Sequence, residues 1–159
     1  MKKNKTIKKT EIAPERVLDV NLNRCREGLR VVEDFLRYVL NDASLYKKAR
    51  AIRHNTDKIL RGGYALLIKE RDTFSDCGRK ISETPKKKLP EIIIANFKRA
   101  QESLRVLEEC SKTFSLNACG QSGGRFDRAP ALFKKQRYAA YNAEKAVYLK
   151  YRNLFNEQL

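Results

Sequence analysis

Apolar side chains recur every three or four residues along most of this chain, the spacing that lines one face of an α-helix. Pro14 suits a first helical turn, and Leu18, Leu22, Cys25, Leu29, Val32, Leu36 and Val39 continue one stripe from it, which predicts a long helix to about Asn41. Ser44 stands where it can cap a second helix through Leu45, Ala49, Ile52 and Ile59, with Gly62 and Gly63 as a left-handed exit. The stretch from Tyr64 to Lys69 is too short for its period to decide. Residues 70–88 show no sustained period and read as a long ordered loop, the kind of segment that carries function in compact domains. A third helix is predicted from near Pro90 to about Phe114, followed by a glycine-bearing loop over residues 117–129. Pro130 opens a fourth, whose stripe takes in Phe133, Arg137, Ala140, Tyr141, Glu144, Val147, Tyr148, Tyr151 and Phe155. The expected fold is all-α, a helical bundle of about four main helices with an internal pseudo-twofold repeat. It forms a single domain over residues 13–159 behind a disordered basic tail at residues 1–12.

The repeat is the strongest signal. Residues 21–33 and 96–108 align without gaps, both reading Asn-x-x-Arg-x-x-Glu-x-Leu-Arg-Val-x-Glu. Such self-similarity predicts duplication of a helical hairpin, with the first and third helices packed as neighbours and Arg24 and Arg99 facing a common cavity. Within each copy the polar residues recur every third position and so wrap around the helix, by about 60° per step. The asparagine and the last glutamate flank the apolar stripe, whereas Arg30 and Arg105 point outward. One reading is an ion-pair ladder of Arg24 with Glu27, Glu27 with Arg30 and Arg30 with Glu33, each pair worth about 0.2–0.5 kcal/mol. A ladder leaves Asn21 and Asn96 unexplained, because asparagine is a poor interior helix residue; a functional role or a buried polar network is the alternative.

Composition narrows the class. The 159 residues are 42% hydrophobic and 34% charged, with a formal net charge of +16, enough apolar content for one core under heavily solvated helix faces. No apolar run approaches the roughly 20 residues needed to span a bilayer, and the basic N-terminal residues lack a following apolar segment, so a cytoplasmic protein is expected. The positive charge is spread over both halves and implies an anionic partner, either nucleic acid or a phosphorylated small molecule. Cys25, Cys77, Cys110 and Cys119 form no Cys-x-x-Cys pair and the single histidine, His54, has no cluster, which argues against structural zinc.

Three further constellations carry possible chemistry. Arg137 and Glu144 lie seven residues apart on the apolar stripe of the last long helix, so each must meet a partner or a wet pocket; a structural pair with Glu27, Glu102 or Arg99 competes with ligand binding. Arg71-Asp72-Thr73 with Asp76 offers two carboxylates in a glycine-containing loop, suited to magnesium shared with nucleotide phosphates. Residues 120–125 resemble a phosphate-cradling loop by glycine content alone and lack its Gly-Lys-Ser/Thr, so flexibility explains them better.

Taken together, residues 16–34, Arg53-His54, Arg71-Asp72-Thr73 with Asp76 and Gly78, the second motif copy, and Arg137-Tyr138 with Tyr141 and Glu144-Lys145 make the chain resemble a known family. It is the all-helical hydroxymethylpyrimidine phosphate kinase family of thiamine biosynthesis, found alone or fused in front of thiamine phosphate synthase. The chain departs from that pattern at Cys77 and Arg79. The resemblance implies phosphoryl transfer from ATP, with Mg2+, to hydroxymethylpyrimidine monophosphate. It implies Arg24, Arg99 and Arg71 as catalytic phosphate contacts, Glu27 or Glu102 as base, and Asp72 and Asp76 as metal ligands. Substrate binding would fall to Asn21, Arg30, Asn96, Arg105, Arg137, Tyr138, Tyr141 and Glu144. Two other functions compete: a non-catalytic domain partnering thiamine phosphate synthase, and a basic nucleic-acid-binding helical module. The last is disfavoured because the arginines sit beside glutamates and no nucleic-acid motif is present. Membrane association is not expected, and a homo-oligomer is left open.

Overall fold

The computed structural model describes residues 14–82, 85, 88–113 and 126–156. The proposed tail at residues 1–12, Phe114 and the glycine-bearing stretch at 120–125 lie outside the described residues. The regular elements among the described residues are helices: α1 Pro14–Asp34, α2 Ala43–Ile59, α3 Tyr64–Lys69, α4 Leu89–Cys110, α5 Ala129–Lys150 and α6 Arg152–Asn156. Four long helices close a ring in which α1 packs on α2 and α4, and α5 on α4 and α2. Buried Leu18, Leu29, Ile93, Phe97, Leu104 and Phe133 meet at its centre. Each such side chain removed from water stabilises the fold by roughly 1.5–3 kcal/mol.

The element boundaries correct the sequence reading in instructive places. The first helix continues toward Asn41 only by widening into a π-turn at Phe35–Val39. Both Phe35 and Leu36 in this turn are buried, at 6% and 1% exposure. Asp42, and not Ser44, caps α2: its Oδ1 accepts from the amides of Ser44 at 3.1 Å and Leu45 at 3.0 Å. Gly63 has φ −100° and supplies no left-handed exit. The positive φ among described non-glycine residues is at Asn41, 49°, where the chain turns into the cap. Tyr64–Lys69 is a helix, α3, entered through a 3-10 turn at Arg61–Gly63.

The duplication extends from the motif to the hairpin that carries it, since α1 pairs with α2 as α4 does with α5. α1 and α4 are neighbours with the most extensive pairing in the molecule. They approach so closely that a Cβ on Gly28 would lie 2.9 Å from the Asn96 carbonyl oxygen. Asp42 in the α1–α2 connection is bound by Lys150 and Tyr151 at the end of α5, so α1 ends where α4 begins and the two run antiparallel. The short helices each bury one apolar side chain, Leu67 of α3 and Phe155 of α6, at 1% and 2% exposure. The repeat is clearest in the hairpins α1–α2 and α4–α5, while the short third helices pack differently, α3 on α1 and α6 on α5. Cys25, fully buried at the α1–α4 crossing, has its thiol pushed up to about 12 by burial, which makes it a packing residue.

Candidate functional site

In both copies the motif divides into a locked end and an open end. At the locked end, Glu33 and Glu108 are buried and each receives an arginine from the facing helix of its own hairpin. Arg53 Nε and Nη2 donate to the two Glu33 carboxylate oxygens at 2.5 and 3.1 Å, and Arg137 Nε and Nη2 donate to Glu108 Oε2 at 3.0 and 2.8 Å. Arg30 and Arg105 add outer contacts to the same carboxylates, at 3.6 and 3.3 Å. At the open end, Arg24, Glu27 and Glu102 are exposed and make no ion pair among the described residues. The expected ladder thus forms only at its Arg30–Glu33 rung. Asn21 and Asn96 are buried and donate from Nδ2 to the carbonyls of Val17 and Ile92, at 2.9 and 2.8 Å, which satisfies them within their own helices at the crossing. Asn96 Oδ1 also accepts from Arg99.

The open end of the first copy borders a groove between α1 and α2 of about 500 Å³, lined by Asn23, Arg26, Glu27, Arg30, Val31 and Arg53. Three guanidinium groups surround one unpaired carboxylate there. Arg26 is held by Asp57 of α2 at 3.0 Å, and the Arg53 guanidinium is pushed upward by its bonds to Glu33, so it stays cationic. Further along α1, Asn23 donates to Asp19, which is gripped by Arg71 through two bonds of 2.7 Å. This pair fastens the 70–82 loop to the bundle, and Arg16 adds a bond to the Asp72 carbonyl at 2.7 Å. The loop is ordered by its own carboxylates: Asp72 accepts from the amides of Phe74 and Ser75 and from the Ser75 hydroxyl, and Asp76 accepts from the Gly78 amide. The Ser75 hydroxyl first, then these amides, hold the Asp72 carboxyl below its usual range. Among the described residues no three His, Cys, Asp or Glu side chains gather as a metal site. Asp72 and Asp76 therefore fit magnesium only as the minor share of a shell supplied mainly by phosphates and water.

The corresponding edge between α4 and α5 has different chemistry. Arg137 donates to the Tyr141 hydroxyl at 3.2 Å, and its guanidinium lies 5.3 and 5.7 Å from the Tyr138 and Tyr141 ring centres. The bonds to Tyr141 and to Glu108 hold Arg137 charged. Its partner is Glu108, none of the three residues the sequence put forward. Glu144 accepts from Gln101 Nε2 at 2.7 Å and pairs with Lys98 at 3.1 Å.

The structure thus spreads the sequence candidates over three surfaces. Glu27, Arg30 and the Arg71–Asp72–Asp76 loop follow the α1–α2 edge, whereas Arg105, Arg137, Tyr138, Tyr141 and Glu144 follow the α4–α5 edge. Arg24, Arg99 and Glu102 are exposed elsewhere on α1 and α4, and none of them is among the residues lining the α1–α2 groove. Helical geometry explains this: Arg24 sits on the solvent side of the stripe by which Cys25 and Gly28 meet α4. Sequence reasoning quoted Arg53, Arg26, Asn23 and Asp19 only within the family resemblance and assigned them no role. Arg53 was within reach, since Glu33 flanking an apolar stripe demands a buried cation from the facing helix.

A profile of the ThiD2 family matches residues 16–146, most of the chain. The chain belongs to the ThiD2 family. This ThiD2 domain is similar to part of several proteins named thiamine-phosphate synthase. The one from Nostoc punctiforme is 38% identical over 112 residues, covering 67% of this chain and 31% of the relative. Those from Rhodopirellula baltica and Synechococcus sp. are 40% and 35% identical over 102 and 115 residues, covering 27% and 32% of those relatives. The chain spans less than a third of the length of these relatives. No solved structure matches it. A place in thiamine biosynthesis follows from the family, as does its all-helical fold from the structure. No helix among the described residues is long and apolar enough to cross a membrane.

Proposed function

We propose that this ThiD2 domain transfers a phosphoryl group from ATP to hydroxymethylpyrimidine monophosphate, at the α1–α2 groove. The observation that carries the reading is an unpaired carboxylate, Glu27, framed by Arg26, Arg30 and Arg53 in a groove of about 500 Å³. Donor, acceptor and product are polyanions, and phosphoryl transfer depends on positioned cations more than on a nucleophilic side chain. An oxygen of the acceptor phosphate forms the new bond to the γ-phosphorus as the bond to the β-bridging oxygen breaks and ADP leaves. Arg26, Arg30 and Arg53 hold the oxygens that gain charge. Arg24, one turn from Glu27 on α1, reaches phosphates overhanging the groove. Glu27 accepts the residual proton of the acceptor phosphate. Magnesium carried by the nucleotide would neutralise phosphate charge, with Asp72 and Asp76 as its nearest protein ligands.

The test is ATP-dependent formation of the pyrimidine diphosphate, followed by coupled ADP release, for the native chain and for Glu27→Gln. Loss of a positioned acid–base group lowers turnover by on the order of 10² or more. A native chain that forms no diphosphate removes the kinase reading; undiminished turnover in Glu27→Gln moves the site off this groove. The named relatives favour one second reading, a domain that docks on thiamine-phosphate synthase and turns over no ATP. Co-sedimentation with that synthase, in the absence of any ADP release, would select it.

A further inference from the structure

The seam between α2 and α5 lies across the bundle from the α1–α4 crossing, each pair closing one side of the ring. Two cavities of about 410 and 350 Å³ open along this seam and share Asn55, Lys135 and Gln136, so they form one continuous groove. It follows α2 from Lys48 to Lys58, about 15 Å at a rise of 1.5 Å per residue. The apolar lining is Ala51, Ile52, Ile59, Leu132, Ala139 and Ala143. The polar lining is three lysines, Lys48, Lys58 and Lys135, and three carboxamides, Asn55, Gln136 and Asn142. No carboxylate, arginine or aromatic ring lines either cavity among the described residues. The lysines make no ion pair there and the carboxamides no side-chain hydrogen bond. The two halves of the duplication differ at Gln136. Arg53 and Arg137 hold matching positions, each on its own motif glutamate, which sets Gln136 against Ile52; both are buried, at 7% and 5% exposure. Isoleucine needs no partner, whereas an amide buried without one is costly. Gln136 lines both cavities, so its donor and acceptor are open to the groove.

We propose that the α2–α5 groove binds an extended acidic peptide segment of a partner protein. A carboxamide offers a donor and an acceptor together, the complement of an extended backbone; a helical backbone has already satisfied its own groups. Gln136, Asn55 and Asn142 therefore select a strand-like segment over a helix. At about 3.3 Å per residue, four or five extended residues cover the groove. Alternate side chains of such a segment face opposite ways, so carboxylates reach Lys48, Lys58 and Lys135 while small apolar side chains take the alanine and isoleucine lining. Nucleic acid fits less well, because its recognition draws on arginine forks and aromatic stacking and the groove has neither. A second copy meeting this face with its own would bring like lysines together. The proposal stands apart from the kinase reading, since none of these residues lines the α1–α2 groove.

The test is fluorescence anisotropy on the full chain with a blocked, labelled hexapeptide of alternating glutamate and alanine, placed by amide chemical-shift mapping. The peptide is expected to shift the amides of Ala51, Asn55, Gln136 and Ala139. Gln136→Leu should raise its Kd fivefold or more while Tm holds or rises, because leucine restores the apolar character found at Ile52; a structural amide would lose Tm instead. Lys135→Glu should raise the Kd tenfold or more, whereas Lys145→Glu, the same charge change on the α4 side of α5, stays within threefold. N-methylation of the peptide backbone should abolish binding. Absence of binding, shifts spread over the whole bundle, equal losses in Lys135→Glu and Lys145→Glu, or an unchanged Kd in Gln136→Leu would overturn the proposal. So would undiminished binding of the N-methylated peptide, or tighter binding of a single-stranded oligothymidylate at the same amides.

Discussion

Replacing Gly28 by alanine sets two opposed effects against each other at the crossing that pairs the two repeats. Alanine in a helix interior is favoured over glycine by roughly 0.5–1 kcal/mol through backbone entropy and propensity. Against that, the new Cβ would stand 2.9 Å from the Asn96 carbonyl oxygen, 3.6 Å from the Ala100 nitrogen and 3.8 Å from the Ala100 Cβ. The closest atom is backbone and cannot rotate away, so α1 and α4 must separate by a few tenths of an ångström along a tightly packed seam. Overpacking of this kind costs about 1–3 kcal/mol. The steric cost wins, with a net destabilisation of about 1 kcal/mol and a fall in Tm of roughly 2–4 °C for a domain of this size. Gly63→Ala is the companion measurement, because its Cβ would meet the Phe126 ring at an ordinary 3.7 Å, at a φ of −100° that any residue adopts; it should be neutral or slightly stabilising. Thermal unfolding of both variants in one buffer reads the comparison. A Gly28→Ala protein as stable as the native chain, or more so, would refute the close α1–α4 approach.

Glu108→Gln leaves the Arg137 guanidinium, with its side chain 11% exposed, facing a neutral amide; the expected loss is about 3 kcal/mol in urea unfolding, and a loss below about 1 kcal/mol would show the pair to be solvated. Asp42 titrates at about 2 in the folded chain, against the usual 3.8, because Lys150 and the Leu45 amide bind its charged form. A lowered folded pKa stabilises above the unfolded value and the gain is lost as pH falls from about 4 to about 2; allowing for solvent around Lys150, it amounts to about 1–2 kcal/mol. Asp42→Asn should flatten that part of the stability–pH curve, and an unchanged curve would count against the cap. Arg24→Lys keeps the charge but loses the bidentate fork, so under the proposed function turnover should fall while Tm holds; a fall in Tm with normal turnover would make Arg24 structural.

Periodicity alone made the helices and the duplication legible, because apolar spacing and an ungapped thirteen-residue repeat are properties of the chain. Leu18, Leu22, Cys25 and Leu29 point inward for the same reason that they recur at helical spacing. The sequence could not decide which charged residues are locked and which are open. Arg30 and Arg24 read alike, yet one touches Glu33 and the other no described carboxylate. That distinction depends on which helix lies across from each side chain, and only the packing of α2 against α1 and α5 against α4 places Arg53 on Glu33 and Arg137 on Glu108. Local rules also lost to tertiary ones at Asp42, where a carboxylate that caps α2 is kept in place by Lys150 and Tyr151, over a hundred residues away. The difference between the two edges was out of reach for the same reason: Asp19 and Ile94 differ in the sequence, but only the fold sets Arg71 against the first and leaves the second beside a groove between α4, α5 and α6.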